Sequence, residues 1–231
     1  MAEEHILVVD DEKEIADLVE VYLQNEGFVV HKFYNGLDAW QCIETMHLDL
    51  AMLDVMLPDL DGFELCRKIR ESHNFPVIML TAKVEDMDKI QGLALGADDY
   101  ITKPFNPLEM VARAKAQLRR YKRYNQGNQD NGDCIEVSGL MINRATHTST
   151  LNGKALALTP TEFSILWLLC ENRGRVIPSE ELFEKVWGEK YLESNNTVMV
   201  HIRRLREKMN EPPRKPKYIK TVWGVGYKIE K

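Results

Sequence analysis

The sequence predicts two domains of different class: an α/β doubly wound five-stranded parallel sheet, then a smaller α+β unit. Three observations predict this. Short apolar runs alternate with longer amphipathic stretches over residues 1–120. Residues 121–133, YKRYNQGNQDNGD, are polar, rich in Asn, Gln and Gly, and carry no apolar periodicity. Beyond them, alternating runs punctuated by turn residues lead into helical stretches and a β-rich end.

In the first half the apolar runs are Ile6–Val9, Asp49–Leu53, Pro76–Leu80 and Tyr100–Ile101, with a weaker strand at Val29–Phe33. Helical spacing predicts helices over Glu14–Asn25, Leu37–Met46, Gly62–Ser72, Asp86–Leu95 and Pro107–Arg120. Strand alternating with helix implies a parallel sheet covered on both faces, because parallel strands need crossover connections. Residues 121–133 read as a flexible linker. The second half opens with short strands over Cys134–Thr159, where Asn152-Gly153 signals a hairpin turn. Helices are predicted over Thr161–Glu171, Ser179–Trp187 and Thr197–Met209, with starts marked at Thr159-Pro160 and Ser179. Tyr218–Ile229, two β-rich runs around Gly224-Val-Gly226, predicts a terminal hairpin.

The net charge of −6 is unevenly spread. Residues 1–120 carry 23 acidic and 12 basic side chains, whereas residues 121–231 carry 13 acidic and 18 basic ones. An acidic half and a basic half imply different partners, with nucleic acid a candidate for the second. The start Met1-Ala-Glu-Glu4 is acidic where a secretory signal is basic, and no apolar run approaches a bilayer span, so a cytoplasmic location is expected. The four scattered cysteines, Cys42, Cys66, Cys134 and Cys170, read as free thiols.

Asp10 and Asp11 follow the first strand and Asp54 follows the third. In an open α/β sheet, functional groups gather at the carboxyl ends of the strands. Carboxylates converging there repel one another unless a cation compensates, and hard oxygens suit Mg²⁺. Thr81-Ala82 and Thr102-Lys103-Pro104 end two more strands. An ammonium and a hydroxyl beside a carboxylate, with the small Ala82 leaving room, suit the oxygens of a transferred phosphoryl group, with Asp54 as nucleophile. In Thr197–Met209, the apolar Val198, Ile202, Leu205 and Met209 share one face, with Thr197, His201, Arg203, Arg204, Arg206 and Lys208 spread over the others. Arginines opposite an apolar stripe suit a DNA major groove.

Residues 4–120 resemble a receiver domain of flavodoxin-like fold. The resemblance rests on Val8-Val-Asp-Asp-Glu12, Leu53-Asp-Val-Met-Leu-Pro58 with Asp61-Gly62, Leu80-Thr81, Gly96-Ala-Asp-Asp-Tyr100 and Lys103-Pro-Phe105. It implies phosphorylation of Asp54, and Mg²⁺ held by Asp10, Asp11, Asp54 and the Met56 carbonyl. It makes Thr81 and Tyr100 a hydroxyl–aromatic switch, Lys103 a phosphoryl contact and Lys103–Pro104 a cis bond. Asp88-Lys89, Asp98, Asp99, Glu109, Arg113 and Arg119-Arg120 resemble the dimerising face of the OmpR/PhoB class. There, pairs matching Lys89–Glu109, Asp99–Arg113 and Asp98–Arg120 bridge two receivers in a phosphorylated homodimer.

Cys134–Lys231 resembles the winged helix-turn-helix domain of the same class. The matching motifs are Leu158-Thr-Pro-Thr-Glu-Phe163, Val186-Trp-Gly188, His201-Ile-Arg-Arg-Leu-Arg206, Lys220-Thr-Val222 and Gly224-Val-Gly-Tyr227. By resemblance, DNA contacts come from Thr197, Val200, His201, Arg203, Arg204, Arg206, Thr221, Trp223, Gly224 and Tyr227, and the loop Gly188–Ser194 faces RNA polymerase. Two positions depart from the class pattern: Trp223 stands where the wing usually has Arg, and Asn195-Asn196 where the turn usually has one. The opening Val9–Val19 and the tail Tyr218–Lys231 look most like the vancomycin-resistance regulators of this class.

The resemblance implies a transcription regulator rather than an enzyme, catalysing only its own phosphoryl transfer and slow dephosphorylation. Its partners are a membrane sensor histidine kinase and promoter DNA with direct repeats. Two other readings are weaker. A small-substrate phosphatase would want a general acid where Met56 stands, and a pure phosphorelay carrier has no use for the basic second half.

Overall fold

A computed structural model of the 231-residue chain describes residues 3–82, 95–125, 134–188, 197–212 and 215–230. The helix expected over 86–95 (except Leu95), with Lys89, and the segment 189–196 lie outside the described residues. The chain divides into two compact units after Tyr121.

In the first unit, β1 (His5–Val9), β2 (Val29–Phe33), β3 (Leu50–Asp54), β4 (Val77–Thr81) and β5 (Asp99–Thr102) form one parallel sheet of order β2-β1-β3-β4-β5. Successive side chains in a strand point to opposite faces. Ile6, Val8, Leu50, Met52, Ile78 and Leu80 therefore share one face. They pack on Val19 and Leu23 of α1 (Lys13–Asn25) and on Met110, Ala114 and Leu118 of α4 (Pro107–Asn125). Leu7, Val9 and Leu53 are buried on the other face, which α2 (Gly36–Thr45) and α3 (Gly62–Ser72) cover. Asn35 and Asp61 cap these two helices by accepting from the backbone N–H of Asp38 and Glu64. Gly27, at φ +86°, lies just beyond the end of α1, as its sequence position predicts.

The last helix of the unit differs from expectation. It continues to Asn125, five residues into the stretch read as linker. Tyr121–Asn125 holds no Gly or Pro, so nothing local stops a helix already nucleated by its buried N-terminal turns. Apolar periodicity, the cue used to end it, is not required of a terminal turn in water.

The second unit begins with β6 (Cys134–Val137), β7 (Leu140–Asn143), β8 (Thr148–Leu151) and β9 (Lys154–Ala155), an antiparallel meander. Asn152 and Gly153 both have positive φ, +50° and +80°, as a type I′ hairpin turn requires. Helices α5 (Pro160–Glu171), α6 (Ser179–Trp187) and α7 (Thr197–Lys208) follow. A second antiparallel sheet of order β10-β12-β11 joins β10 (Ile177–Pro178), β11 (Ile219–Val222) and β12 (Gly226–Ile229). One core unites Leu140, Phe163, Leu166, Trp187, Ile202 and Ile219. Thr159 and Glu162 form a reciprocal capping box on α5. Ser179, in contrast, is the first helical residue of α6, and Pro178 occupies the cap without a side-chain bond.

Candidate functional site

Parallel strands bring their carboxyl ends to one edge. Asp10 follows β1, Asp54 ends β3, Thr81 ends β4, and Lys103 follows β5. At that edge Lys103 Nζ lies 2.8 Å from Asp10 Oδ2, 2.8 Å from Asp54 Oδ2 and 3.1 Å from Glu12 Oε1. Asp10 and Asp54 are buried. Burial and the neighbouring Asp54 charge push the Asp10 carboxyl up to about 6, against the pull of Lys103. Burial alone would lower the Lys103 ammonium, but its bonds to Asp10 and Asp54 outweigh this and hold it above the ordinary lysine range. The remaining Asp54 oxygen, Oδ1, accepts from the Met56 N–H at 3.2 Å. Gly62 is required here, because a Cβ at that position would stand 1.9 Å from the Asp54 carbonyl oxygen.

The carboxylates that converge are Asp10, Glu12 and Asp54, with one oxygen of each within 4.8 Å of the others. Asp11, expected among them, is exposed and does not join the group. Glu12 is the third carboxylate of the group, and its backbone N–H bonds Asp10 Oδ1 at 3.1 Å. Two buried carboxylates and an exposed third, mutually repelling with one ammonium among them, fit a divalent cation bound by hard oxygens. Thr81 is buried, and its carbonyl accepts from the Lys103 N–H at 2.7 Å. Ala82 is exposed, Tyr100 is half-buried, and Lys103–Pro104 is cis, as expected.

The face expected to dimerise is partly committed within one chain. Asp98 is fully buried, accepting from Arg70 Nη2 at 2.7 Å and from the Val77 N–H at 3.0 Å. Within the single chain, Asp98 joins α3 to the start of β4. Arg70, which sequence reading missed, also donates to the carbonyls of Gly96 and Phe75, both at 2.8 Å. Arg113 reaches Asp99 at 3.1 Å and Glu109 at 3.0 Å within the same unit. Burial pushes the Asp99 carboxyl up, opposed by Arg113.

On α7 the buried face is wider than four apolar residues. Thr197, Val200, His201 and Arg204 are buried along with Val198, Ile202 and Leu205. The helix packs against both α5 and α6, so more of its circumference is covered than one stripe predicts. The ring of His201 packs at 5.4 Å from that of Trp187. Arg204 Nη2 lies 3.2 Å from Glu162 Oε1, and Lys208 Nζ lies 2.7 Å from Glu162 Oε2. Thr197, Val200, His201 and Arg204 are thus packed within the second unit. Met199, Arg203 and Glu207 are exposed, with Arg203 Nε 2.9 Å from Glu207 Oε1.

Arg206 ties the helix to the terminal hairpin by donating to the Ile219 carbonyl at 2.7 Å and to Thr221 Oγ1 at 2.8 Å. Gly226 allows β12 to press on β10, since a Cβ would stand 2.0 Å from the Ile177 carbonyl oxygen. Tyr227 is buried, whereas Trp223 at the hairpin tip is 89% exposed and Gly224 beside it has φ +72°.

Residues 6–115 match the family described as response regulator receiver domain, and residues 153–229 match the one described as transcriptional regulatory protein, C terminal. The chain is 60% identical over 227 residues to the regulatory protein VanR of Enterococcus faecium, covering 98% of each chain. It is 63% identical over 229 residues to the regulatory protein VanRc of Enterococcus gallinarum, covering 99% of each. Among solved structures, a RitR mutant matches with a TM-score of 0.76 at 28% identity over 99% of each chain. The response regulator DrrB of Thermotoga maritima, described as an OmpR/PhoB homolog, matches with a TM-score of 0.53 at 37% identity over the full length of each. With a carboxylate–lysine cluster at the sheet edge of its first unit and a helix-and-hairpin second unit, the chain belongs to the two-component response regulators of the OmpR/PhoB class.

Proposed function

We propose that this regulator accepts a phosphoryl group on Asp54 from a membrane sensor histidine kinase of the VanS kind and then binds promoter DNA as a homodimer, activating glycopeptide-resistance genes. The observation that carries the reading is the bridge of Lys103 between Asp10 and Asp54, 2.8 Å from each, at the carboxyl edge of a parallel sheet. An Asp54 oxygen attacks the phosphorus of the phosphohistidine, the P–N bond breaks, and an acyl phosphate forms. Asp10, Asp54, the Met56 carbonyl and either Asp11 or Glu12 are the candidate Mg²⁺ ligands. When bound, Mg²⁺ would neutralise charge on the transferring oxygens.

Lys103 holds the incoming phosphoryl oxygens as a point charge, and the Thr81 hydroxyl donates to them beside the small Ala82. Inward movement of Thr81 lets Tyr100 follow, which resets the face bearing Lys89, Asp99, Glu109, Arg113 and Arg120 for pairing with a second receiver. In the second unit, Arg203 faces the major groove, while Arg206 and Thr221 meet the phosphate backbone where helix and hairpin join. The wing brings Trp223 and Gly224 to the DNA, with Tyr227 packed behind them. The loop 188–194 meets RNA polymerase. A cytoplasmic location belongs to the same reading; among the described residues, no helix is long and apolar enough to cross a membrane.

The test combines acetyl phosphate, Mg²⁺ and labelled promoter DNA. Wild-type protein should incorporate one phosphoryl group and gain DNA affinity, and Asp54→Asn should do neither, since an amide cannot form the acyl phosphate. Stoichiometric labelling of Asp54→Asn would refute the assignment.

A further inference from the structure

The most exposed large apolar side chain among the described residues is Trp223, at 89%. Sequence alone left open whether it packs or projects, and it projects. The Val225 N–H bonds the Val222 carbonyl at 3.0 Å across the turn Val222–Val225. Gly224, the third residue of that turn, has φ +72°, whereas Trp223 is not among the residues with positive φ. These are the marks of a type II turn, with Trp223 at its second position. Val225 beside it is 52% exposed. The tip of the hairpin is therefore an apolar point of indole and isopropyl groups.

That point stands on a fixed base. Tyr227 pairs with Ile177 and with Thr221 in the three-stranded sheet. Arg206 of α7 grips Ile219 and Thr221 of the same hairpin. Helix and tip therefore share one frame, and whatever surface the outward residues of α7 engage, the tip meets at a set distance. Residues 219–229 hold two lysines and no acidic residue; Lys220 and Lys228 are register partners, and Lys228 is also paired with Glu230 just past the strand. A cationic hairpin with an apolar tip suits a polyanion whose grooves are lined by stacked bases.

We infer that Trp223 is an apolar wedge that enters the DNA minor groove and partly unstacks one base step, an inference that rests on the DNA-binding reading above. Minor-groove proteins insert apolar side chains between base steps and kink the duplex, and the cost is lowest at flexible pyrimidine–purine steps. The indole supplies no charge. Its N–H can donate to the acceptors that both A·T and T·A pairs present in that groove, whereas the guanine amino group obstructs a G·C pair. The wing thereby selects an A·T-rich, deformable step at a position the helix does not touch.

The experiment measures affinity and end-to-end energy transfer on a promoter duplex that the phosphorylated wild-type protein protects, using the full chain and its Trp223→Phe, Trp223→Ala and Trp223→Arg variants. The wild type should bend the duplex. Trp223→Ala should bind about tenfold more weakly and lose the bend, with Trp223→Phe staying within about threefold of wild type. Trp223→Arg should steepen the salt slope by up to about one unit without restoring the bend. Replacing the wing-facing step with G·C should weaken the wild type but not Trp223→Ala. A wild-type bend that persists in Trp223→Ala, or a duplex left straight by the wild type, would overturn the wedge alone. Unchanged DNA binding with impaired transcription in Trp223→Ala would also overturn it, and would assign the tip to a protein partner. Failure of the phosphorylated wild type to bind any promoter DNA would overturn the DNA-binding reading as well.

Discussion

Arg204 Nη2 lies 3.2 Å from Glu162 Oε1, both side chains buried between α7 and the N-terminus of α5. Glu162 caps its own helix through the Thr159 N–H and also receives Lys208. One carboxylate thus anchors α7 to the start of α5. Removing one partner of a buried ion pair leaves the other charged and poorly solvated, which costs about 3 kcal/mol. Arg204→Ala should therefore destabilise the second unit by about that amount in urea unfolding. It should also weaken operator and random DNA by the same factor. Loss confined to the operator, with stability unchanged, would return Arg204 to the base-reading face.

The same carboxylate sets an acid limit. Burial pushes Glu162 up, but the charges of Arg204 and Lys208 and the bonds from Lys208 and Thr159 outweigh it, so its carboxyl sits below the ordinary value of 4.5. A depressed carboxyl favours the folded state above the unfolded pKa, and that stability is lost as pH falls through the folded one. The second unit should thus lose stability with a slope that begins near pH 4.5 and continues below it. Glu162→Gln should be less stable at pH 7 and flatter across that window. Equal slopes in acid titrations of the two proteins would contradict this.

Lys103 competes with any divalent ion for Asp10 and Asp54, since its Nζ already lies 2.8 Å from both. Lys103→Met should tighten Mg²⁺ binding about tenfold while leaving the protein unable to retain the phosphoryl-induced switch. For wild type, Asp10 must lose its proton to act as a ligand, and its carboxyl is pushed up to about 6. Mg²⁺ affinity should therefore fall as pH drops through about 6, by up to about tenfold per unit. Calorimetric titrations at pH 7.5 and 5.5 would check this. A pH-independent affinity would remove Asp10 from the ligand set.

Much of this was legible in the sequence because it is local. Four of the strands of the first sheet end in a polar residue or are followed by one, so Asp10, Asp54, Thr81 and Lys103 are assigned to one edge from the sequence. The Asn152-Gly153 turn and the Thr159 cap are likewise encoded in two to four neighbouring residues. What escaped depends on distant partners. Arg70 reads as an ordinary basic residue in the last turn of α3, and nothing near it points to Asp98, 28 residues away. Arg204 counts as polar in any periodicity, yet Glu162 draws it inward. Glu12 joins Asp10 and Asp54 in one cluster, and its backbone bond to Asp10 is something composition cannot signal.

Asp98 separates an interface role from a structural one. It is fully buried and held by Arg70 and the Val77 N–H. Asp98→Ala should lower the stability of the unphosphorylated receiver by about 3 kcal/mol, because Arg70 loses its carboxylate. Wild-type stability combined with weaker dimerisation would instead support the cross-dimer pairing with Arg120.

The final prediction concerns the connection between the units. Helix α4 runs to Asn125, and of the segment 121–133 that the sequence reads as linker, the eight residues 126–133 lie outside the described residues. A Gly-containing coil of that length has a root-mean-square reach of about 16 Å. A receiver dimer built from reciprocal ion pairs is two-fold symmetric, whereas two winged domains on direct repeats point the same way. In the proposed arrangement the half-sites would lie about 34–36 Å apart, one helical turn. Both arrangements hold only if two such segments together bridge that asymmetry, and at about 16 Å each they have little slack. Deleting four residues from 126–133 should leave phosphorylation and dimerisation intact while abolishing tandem occupancy in footprints. Replacing them with a Gly-Ser segment of equal length should restore it, since reach rather than sequence is what the segment supplies. Full tandem binding by the shortened protein, or protection of an inverted repeat, would show that the two units are not decoupled in this way.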